Sequence, residues 1–327
     1  MKLVNDFVRV ANASYKRKER ERLKKEVSEM GFDHQKLKQK LKKGLISAVQ
    51  EYEEYVNYLI SLHKSSSESL NWESLMAAPE PKLPLRKSDN QLIAESACRS
   101  FKPSLIDKLL GQGKQKHREL MDKAQKARQE DDLIYNFTLK EFKSDLIDWT
   151  KIQSVSKGVT SRDPASYEEA IEFFTPFFPV TVLGVLLEYE ASDEVIIISL
   201  GINAKDIVPD FVPNQLTSGK IKLQDMQDLD FFRLFHSFLC SCALRIARET
   251  FALLPVKHVL LNVYEHNVSH PPDAKSTRAI LSVKFNEQLF SNVDFDSEDC
   301  TALVKLFPHN ITFSASGGFG DVDLITT

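Results

Sequence analysis

Acidic side chains in the C-terminal half are the first candidates for chemistry, because carboxylates hold Mg²⁺ in metal-dependent nucleases. Four of them could supply such a site: Glu188, Glu190, Asp206 and Asp210. A nuclease centre also needs an acid-x-Lys tripeptide on an adjacent strand, yet the predicted strand with Lys284 has Ser282 two residues earlier. The acid-x-Lys tripeptides at Glu80–Lys82 and Glu141–Lys143 lie outside predicted strands. The pattern favours surface carboxylates over a nuclease centre.

Histidine and cysteine are the other residue types that bind metals or act as nucleophiles. His258, His266 and His270 are close in sequence, but no Cys or acidic motif with zinc spacing accompanies them. Cys240 and Cys242 are two residues apart on a predicted helix, where they face opposite ways. The chain has no P-loop, nucleophile elbow or dinucleotide fingerprint. The sequence therefore predicts no catalytic residue, no metal site and no cofactor.

Two arginines on the polar side of a predicted helix, Arg245 and Arg248, form a paired surface suited to binding carboxylates or phosphates. An alternative interpretation is that they pair with acids in the same half of the chain: Asp228, Glu265 or Glu249. The sequence leaves both interpretations open. Arg245 and Arg248 are therefore candidate partner-binding or anion-binding residues.

Charge is distributed unevenly along the 327 residues, whose net charge is −3. Residues 1–43 contain 14 basic and 6 acidic side chains, whereas residues 165–327 contain 11 basic and 22 acidic ones. The basic end can contact the acidic end of a second copy, or it can contact a polyanion such as nucleic acid. The candidate contact residues are Lys16, Arg17, Lys18, Arg20, Lys24 and Lys25.

An apolar seam follows the basic segment. Its side chains alternate steps of four and three, which is typical of a coiled coil: Leu41, Leu45, Tyr52, Tyr55, Leu59 and Leu62. The seam predicts a homo-oligomer. A helical hairpin closed within one chain remains the alternative.

The chain divides by composition into four parts. Basic, coiled-coil-forming helices occupy residues 1–63, and a Ser- and Pro-rich connector occupies 64–103. A long helix is predicted for 104–152, although Gly111 and Gly113 can break its first turns. A stretch rich in Ser, Lys and Gly marks the boundary to a domain of helices and strands at 165–327. Within this domain, an apolar stripe that includes Phe235 and Phe238 predicts the core helix, and Pro209 and Pro213 predict an irregular segment before that helix. The predicted fold class is α+β, with long N-terminal helices followed by an antiparallel sheet.

Composition excludes several classes of protein. The chain is 42% hydrophobic and 27% charged, which suits a chain with a real core. No apolar run approaches the roughly 18 to 20 residues of a membrane span, and no signal peptide precedes the first helix. Four cysteines are too few for a disulfide scaffold. We therefore expect a cytoplasmic protein without a membrane partner.

Some segments resemble a family of uncharacterised bacterial proteins. The C-terminal region of that family is similar to Cys240–Val256, Ile280–Phe285 and Phe307–Asn310. Its helical middle is similar to Tyr55–Leu62, Asn71–Glu73, Lys102–Ser104 and Asp107–Leu109. The resemblance covers about residues 45–327 and implies a helical coiled-coil middle before an α+β domain. Longer members carry a small Gly-rich N-terminal domain that is absent here, and Ser314–Phe319 replaces their Lys-Thr-Lys-Gly-Phe-like ending.

The resemblance implies no activity, so the functional hypothesis depends on the patterns above. We expect a non-enzymatic assembly or partner-recognition protein that oligomerises through its N-terminal helices, with a second protein as a further possible partner. The alternative is a nucleic-acid-acting protein, binding or nuclease-like, in bacterial genome or phage defence. Salt dependence separates them, because phosphate binding weakens steeply with salt and an apolar seam does not.

Overall fold

The computed structural model describes residues 34–44, 47–217, 220–266, 277–296 and 299–326. These residues form two compact units. The helical unit consists of residues 77–154, and the sheet unit consists of the described parts of 34–76 and 155–326. None of the helices in the described ranges is long and apolar enough to cross a membrane.

Helices and strands alternate along the chain in the order expected for a mixed α+β protein. The helices are α1 His34–Lys42, α2 Ser47–Ser61, α3 Trp72–Met76, α4 Asp89–Ser100, α5 Leu105–Leu109, α6 Gly113–Thr160, α7 Pro164–Phe174, α8 Phe178–Thr181, α9 Ala204–Ile207, α10 Asp228–Leu253, α11 Glu287–Phe290 and α12 Cys300–Val304. A 3₁₀ turn, Leu62–Lys64, follows α2. The strands are β1 Leu186–Ala191, β2 Val195–Ile202, β3 Phe211–Gln215, β4 Ile221–Asp225, β5 His258–His266, β6 Thr277–Asn286, β7 His309–Ser314 and β8 Gly318–Gly320.

The main sheet has six strands in the order β1-β2-β5-β6-β7-β8. The predicted antiparallel pairing is present between all neighbours except β2 and β5, which run parallel. The parallel pair requires a crossover, and the segment between the two strands supplies one because it contains α10. The same segment contains a second sheet, the β3-β4 hairpin, where the sequence predicted irregular chain because of Pro209 and Pro213.

The core of the sheet unit lies between α10 and one face of the main sheet. Alternate residues of β2 are fully buried there: Ile196, Ile198, Leu200 and Ile202. The predicted stripe of α10 faces them, and Phe235 and Phe238 are at most 1% exposed. The helical stripe therefore predicted the buried face of α10 correctly.

The Leu41 to Leu62 seam is buried inside the sheet unit, so a coiled coil is not confirmed. Leu59 and Leu62 belong to the same apolar cluster as α10. Leu41 and Tyr52 pack in a second cluster with Phe211 of the β3-β4 hairpin. The Tyr55 hydroxyl donates a 2.6 Å hydrogen bond to the carbonyl of Ile207. Leu45 lies outside the described residues. The prediction that these side chains meet a second chain was therefore wrong, because their own chain covers them.

The two units divide between Ser154 and Val155, within the stretch 153–164 that the sequence marks as the boundary, but α6 continues through that stretch to Thr160. Val155 and Val159 are at most 1% exposed, so this stretch belongs to the core and is not a linker. Gly158 permits a close contact with the start of α7: a Cβ there would lie 1.8 Å from the Ser166 hydroxyl oxygen. The glycine that suggested a linker is therefore a packing requirement.

In the helical unit, a preceding segment runs antiparallel along α6. The Trp149 indole N–H donates to the carbonyl of Ala78 at 2.9 Å, and the Phe101 ring stacks on His117 with centroids 6.1 Å apart. The predicted helix from residue 104 is interrupted, since α5 ends before Gly111, which has a φ of +67°. The sequence had identified this break, and the long helix begins at Gly113.

Candidate interaction surfaces

The two arginines of α10 hold the chain's own backbone rather than an external anion. Arg245 donates to the carbonyls of Leu62 and Ser65 and forms a 2.8 Å ion pair with Glu249. Arg248 donates to the carbonyl of His63 and lies over the Phe295 ring, 4.3 Å from its centroid. Burial, followed by repulsion from Arg245, lowers the pKa of Arg248. The interpretation of Arg245 and Arg248 as a free anion site is therefore corrected, and the alternative pairing with Glu249 is present for Arg245.

Further hydrogen bonds bind residues 62–72 to α10. His63 is fully buried, and its ring nitrogen Nδ1 lies 3.0 Å from the Ser241 hydroxyl. The Trp72 indole N–H donates to the carbonyl of Leu253 at 2.6 Å. The Ser67 N–H donates to Glu249 at 2.9 Å. A serine beside a histidine can indicate a nucleophile, but this pair has no access to a substrate because both residues are 0% exposed.

The cysteines of the sheet unit are unsuited to nucleophilic chemistry. Burial raises the pKa of the Cys240 and Cys242 thiols, and it raises that of Cys300 to about 12. A thiol with a raised pKa is protonated near neutral pH and is therefore a weak nucleophile. All three residues are free thiols packed in the core.

The remaining predicted ligands are dispersed or undescribed. Lys16, Arg17, Lys18, Arg20, Lys24 and Lys25 lie outside the described residues, as does His270. His258 contacts the Asn286 side chain, and His266 lies against Gly201. Within the described ranges, no group of three His, Cys, Asp or Glu side chains could hold a metal ion.

Apolar side chains are concentrated on the outside of the helical unit. In the described chain 21 large apolar residues are exposed, and 13 of them belong to this unit. Only Ile152 among the apolar residues described there is buried. The thirteen are Leu83, Leu85, Leu92, Ile93, Leu105, Ile106, Leu109, Leu110, Met121, Leu133, Ile134, Phe137 and Ile147. The sequence predicts that Leu105, Leu109, Ile134 and Phe137 share one face of a single long helix, but the first two belong to α5, the other two belong to α6, and all four are exposed.

Polar contacts attach α4 and α5 to α6, so the apolar side chains of these two helices can stay exposed to solvent. Asp131 of α6 is 4% exposed and accepts hydrogen bonds from the Gln91 N–H and the Asn90 amide at the start of α4. Asp107 of α5 pairs with Lys116. Hydrogen bonds from Lys116 and Ser104 lower the pKa of Asp107 to about 2. Both short helices are therefore held by carboxylates, while residues such as Leu105 and Leu109 are more than 80% exposed.

Charge reverses along α6. Residues 113–128 carry six basic and two acidic side chains, whereas residues 129–148 carry two basic and six acidic ones. The exposed apolar residues Leu133, Ile134 and Phe137 lie close to the point of reversal and are neighbours at helical steps of three and four. Both the charge reversal and the apolar spacing are visible in the sequence.

The outer face of the main sheet, opposite α10, carries a row of polar side chains in register. Glu188, Ser199, Asn262, Ser282 and Asn310 pair across β1, β2, β5, β6 and β7. The C-terminal segment covers the β6 end, where the Ile325 N–H donates to the Ser282 hydroxyl at 3.0 Å. The β1 end is an open groove of about 660 Å³ lined by Glu188, Glu190, Ile197, Ser199, Leu260, Asn262, Tyr264 and the segment Leu324–Thr326.

Comparison of this chain with protein-family models, curated proteins and solved structures finds no match. The proposed function therefore rests on the chemistry of the surfaces described above.

Proposed function

We propose that this protein is a non-enzymatic assembly protein that associates with a second copy of itself through the helical unit. The observation that carries the proposal is the set of thirteen exposed large apolar residues of residues 77–154. Such a concentration of exposed apolar side chains is typical of protein interaction surfaces. The proposal keeps the assembly role expected from the sequence, but it places the interface on α6 and not on the Leu41 to Leu62 seam.

The charge pattern of α6 supports a second copy in antiparallel orientation. If two α6 helices cross near residues 130 and 131, residues 113–128 of one copy lie opposite residues 133–148 of the other. The basic stretch of each helix, with six basic and two acidic side chains, then lies opposite a stretch of its partner with three acidic and two basic ones. A parallel pair would place like charges together, which is unfavourable.

The apolar residues near the crossing supply the attraction. Leu133, Ile134 and Phe137 are 69%, 56% and 63% exposed. Full burial of such a side chain stabilises by about 1.5 to 3 kcal/mol, so burial of the exposed part contributes about 1 to 2 kcal/mol for each residue of each copy. In this register the three residues lie opposite Arg128, Ala127 and Ala124 of the partner, so six apolar side chains, three from each copy, are buried on the two sides of the crossing.

Measurement of the native mass by light scattering tests the proposal. We expect a dimer at about 10 µM, since standard interfaces reach micromolar affinity or better. The double variant Leu133→Asp with Phe137→Asp is expected to be a monomer with unchanged circular dichroism. A matched control, Leu216→Asp with Leu289→Asp, alters two exposed apolar residues of the sheet unit and should leave the dimer intact.

Orientation is tested by disulfide formation in a Cys98→Ser background. Glu130→Cys lies near the expected crossing and should link two copies upon mild oxidation, whereas Gln115→Cys should not. A monomeric wild type, or a Leu133→Asp with Phe137→Asp variant that remains dimeric, would contradict the proposal. Linking through Gln115→Cys alone would contradict the antiparallel arrangement.

A second function is favoured by the basic segment alone. Residues 1–43 carry 14 basic and 6 acidic side chains, a balance that suits phosphate contacts. If about three of them neutralise phosphates, the affinity for duplex DNA should fall with a slope of about −2 to −3 in log K against log salt. Titration of a labelled duplex against wild type and a Lys16→Glu, Arg17→Glu, Arg20→Glu variant tests this. Equal binding by the two proteins would remove nucleic acid as a partner of this segment.

A further inference from the structure

Strand β1 is one edge of the main sheet, and β2 is its sole strand neighbour in the described sheet. Alternate residues of an edge strand direct their N–H and C=O groups away from the sheet. Among the described residues, Leu186–Ala191 make no backbone hydrogen bonds except those with β2. The edge of β1 therefore presents unpaired backbone donors and acceptors.

Four exposed carboxylates flank this edge, two on each side of the sheet. Glu188 and Glu190 lie on the outer face with Ser199 and Ile197 of β2. On the inner side, α7 packs beside β1 and contributes Glu168 and Glu172. After burial, these two carboxylates are the further causes that raise the pKa of Tyr189. None of the four forms an ion pair or hydrogen bond with another described residue.

The outer pair borders the open groove, where Asn262 supplies a further binding group. Asn262 is 4% exposed, and its side-chain oxygen accepts a 2.7 Å hydrogen bond from Ser282. Its amide N–H₂ has no partner among the described residues, although it lines the groove beside Glu188 and Glu190. A partner in the groove can therefore approach the Asn262 amide as well as the two outer carboxylates.

We propose that the free edge of β1 binds an extended, Lys- and Arg-rich segment of a protein partner as an added strand. Successive side chains of a strand alternate between the two faces. A continuous basic run therefore places every second cation at Glu188 and Glu190 and the others at Glu168 and Glu172. Backbone pairing supplies the affinity and the carboxylates select the charge. This surface is separate from α6, so the inference does not depend on the proposed self-association.

Binding of a synthetic peptide to the full chain tests this proposal. The probe is a twelve-residue peptide of alternating Lys and Arg, which presents cations on both faces of an added strand. Fluorescence anisotropy is measured at low and at physiological salt. We expect binding that the paired variants Glu188→Gln with Glu190→Gln, and Glu168→Gln with Glu172→Gln, each weaken by about two- to thirtyfold, the loss expected for two exposed ion pairs. The control Asp225→Asn with Glu287→Gln removes two exposed acids elsewhere and should bind like wild type.

A second peptide separates strand addition from simple charge attraction. N-methylation of alternate backbone nitrogens removes the donors needed for pairing and keeps every charge. We expect this peptide to bind at least tenfold more weakly. The Leu133→Asp with Phe137→Asp variant should bind the unmodified peptide as wild type does, whatever its native mass. Equal binding of the methylated peptide, or no effect of the Gln variants, would overturn the proposal.

Discussion

Arg245 and Glu249 form an ion pair inside the sheet unit, with 2.8 Å between Arg245 Nη2 and Glu249 Oε1. Their side chains are 11% and 1% exposed. Arg245 also binds the carbonyls of Leu62 and Ser65, and Glu249 accepts the Ser67 N–H. A buried charge is costly unless it is paired. The two side chains therefore depend on each other, and together they hold the chain that follows α2 against α10.

Removal of Arg245 should leave Glu249 as an uncompensated buried charge. We expect Arg245→Met to lower the free energy of unfolding by about 3 to 5 kcal/mol, and Arg245→Met with Glu249→Leu to recover much of that loss. Urea denaturation of both variants measures these values. Arg233→Met, at an exposed site of the same helix, is the matched control. A loss below about 1 kcal/mol in Arg245→Met would contradict the role of the pair.

The cap that Asp131 gives to α4 should control the local stability of that helix. Asp131→Ala removes the acceptor for the Gln91 N–H, and loss of such a cap costs about 0.5 to 2 kcal/mol. We expect amide hydrogen exchange in residues 91–100 to accelerate by about two- to thirtyfold, with little change in α10. Asp122→Ala, an exposed site nine residues earlier on α6, should leave this exchange unchanged. Exchange that accelerates equally in both variants would refute the capping role.

His236 should make stability depend on pH. Burial, followed by repulsion from Lys305, lowers its pKa from 6.5 to about 4, and its ring packs on Phe313 at 4.2 Å. The unfolded chain therefore binds a proton near pH 6.5 that the folded chain accepts only near pH 4. His236 therefore does not lower the free energy of unfolding above pH 6.5, but it lowers that free energy progressively as the pH falls from 6.5 to 4. Allowing for partial solvent screening, we expect a loss of about 1 to 2 kcal/mol over that interval.

Urea denaturation of wild type and His236→Phe at pH 7, 5.5 and 4.5 measures this dependence. The variant keeps an aromatic ring against Phe313 but has no group that titrates in this range. Its stability should fall less than that of wild type between pH 7 and 4.5. Parallel curves for the two proteins would assign the acid sensitivity to other residues.

Local patterns in the sequence were sufficient to predict some elements, including α10 and the break after α5. The stripe that includes Phe235 and Phe238 predicted α10 and its buried face, because a helix with one apolar side must bury that side. The end of α5 also depends on a local feature. Gly111 adopts a positive φ, which glycine can do at little energetic cost. Each of these features depends on residues within a few positions of one another.

The partner of each face was decided by tertiary structure. The Leu41 to Leu62 seam indicated that one side of α2 is buried, but not that Phe211 and α10 cover it. The sequence does not distinguish paired arginines that bind a phosphate from paired arginines that bind backbone carbonyls, as these two bind the carbonyls of Leu62 and His63. Periodicity specifies which side chains avoid water, whereas their neighbours come from distant segments whose approach depends on the whole fold. The sequence alone therefore did not show that apolar residues of α4 and α5 face solvent. That arrangement depends on the buried carboxylates of Asp131 and Asp107, which hold these two helices in place.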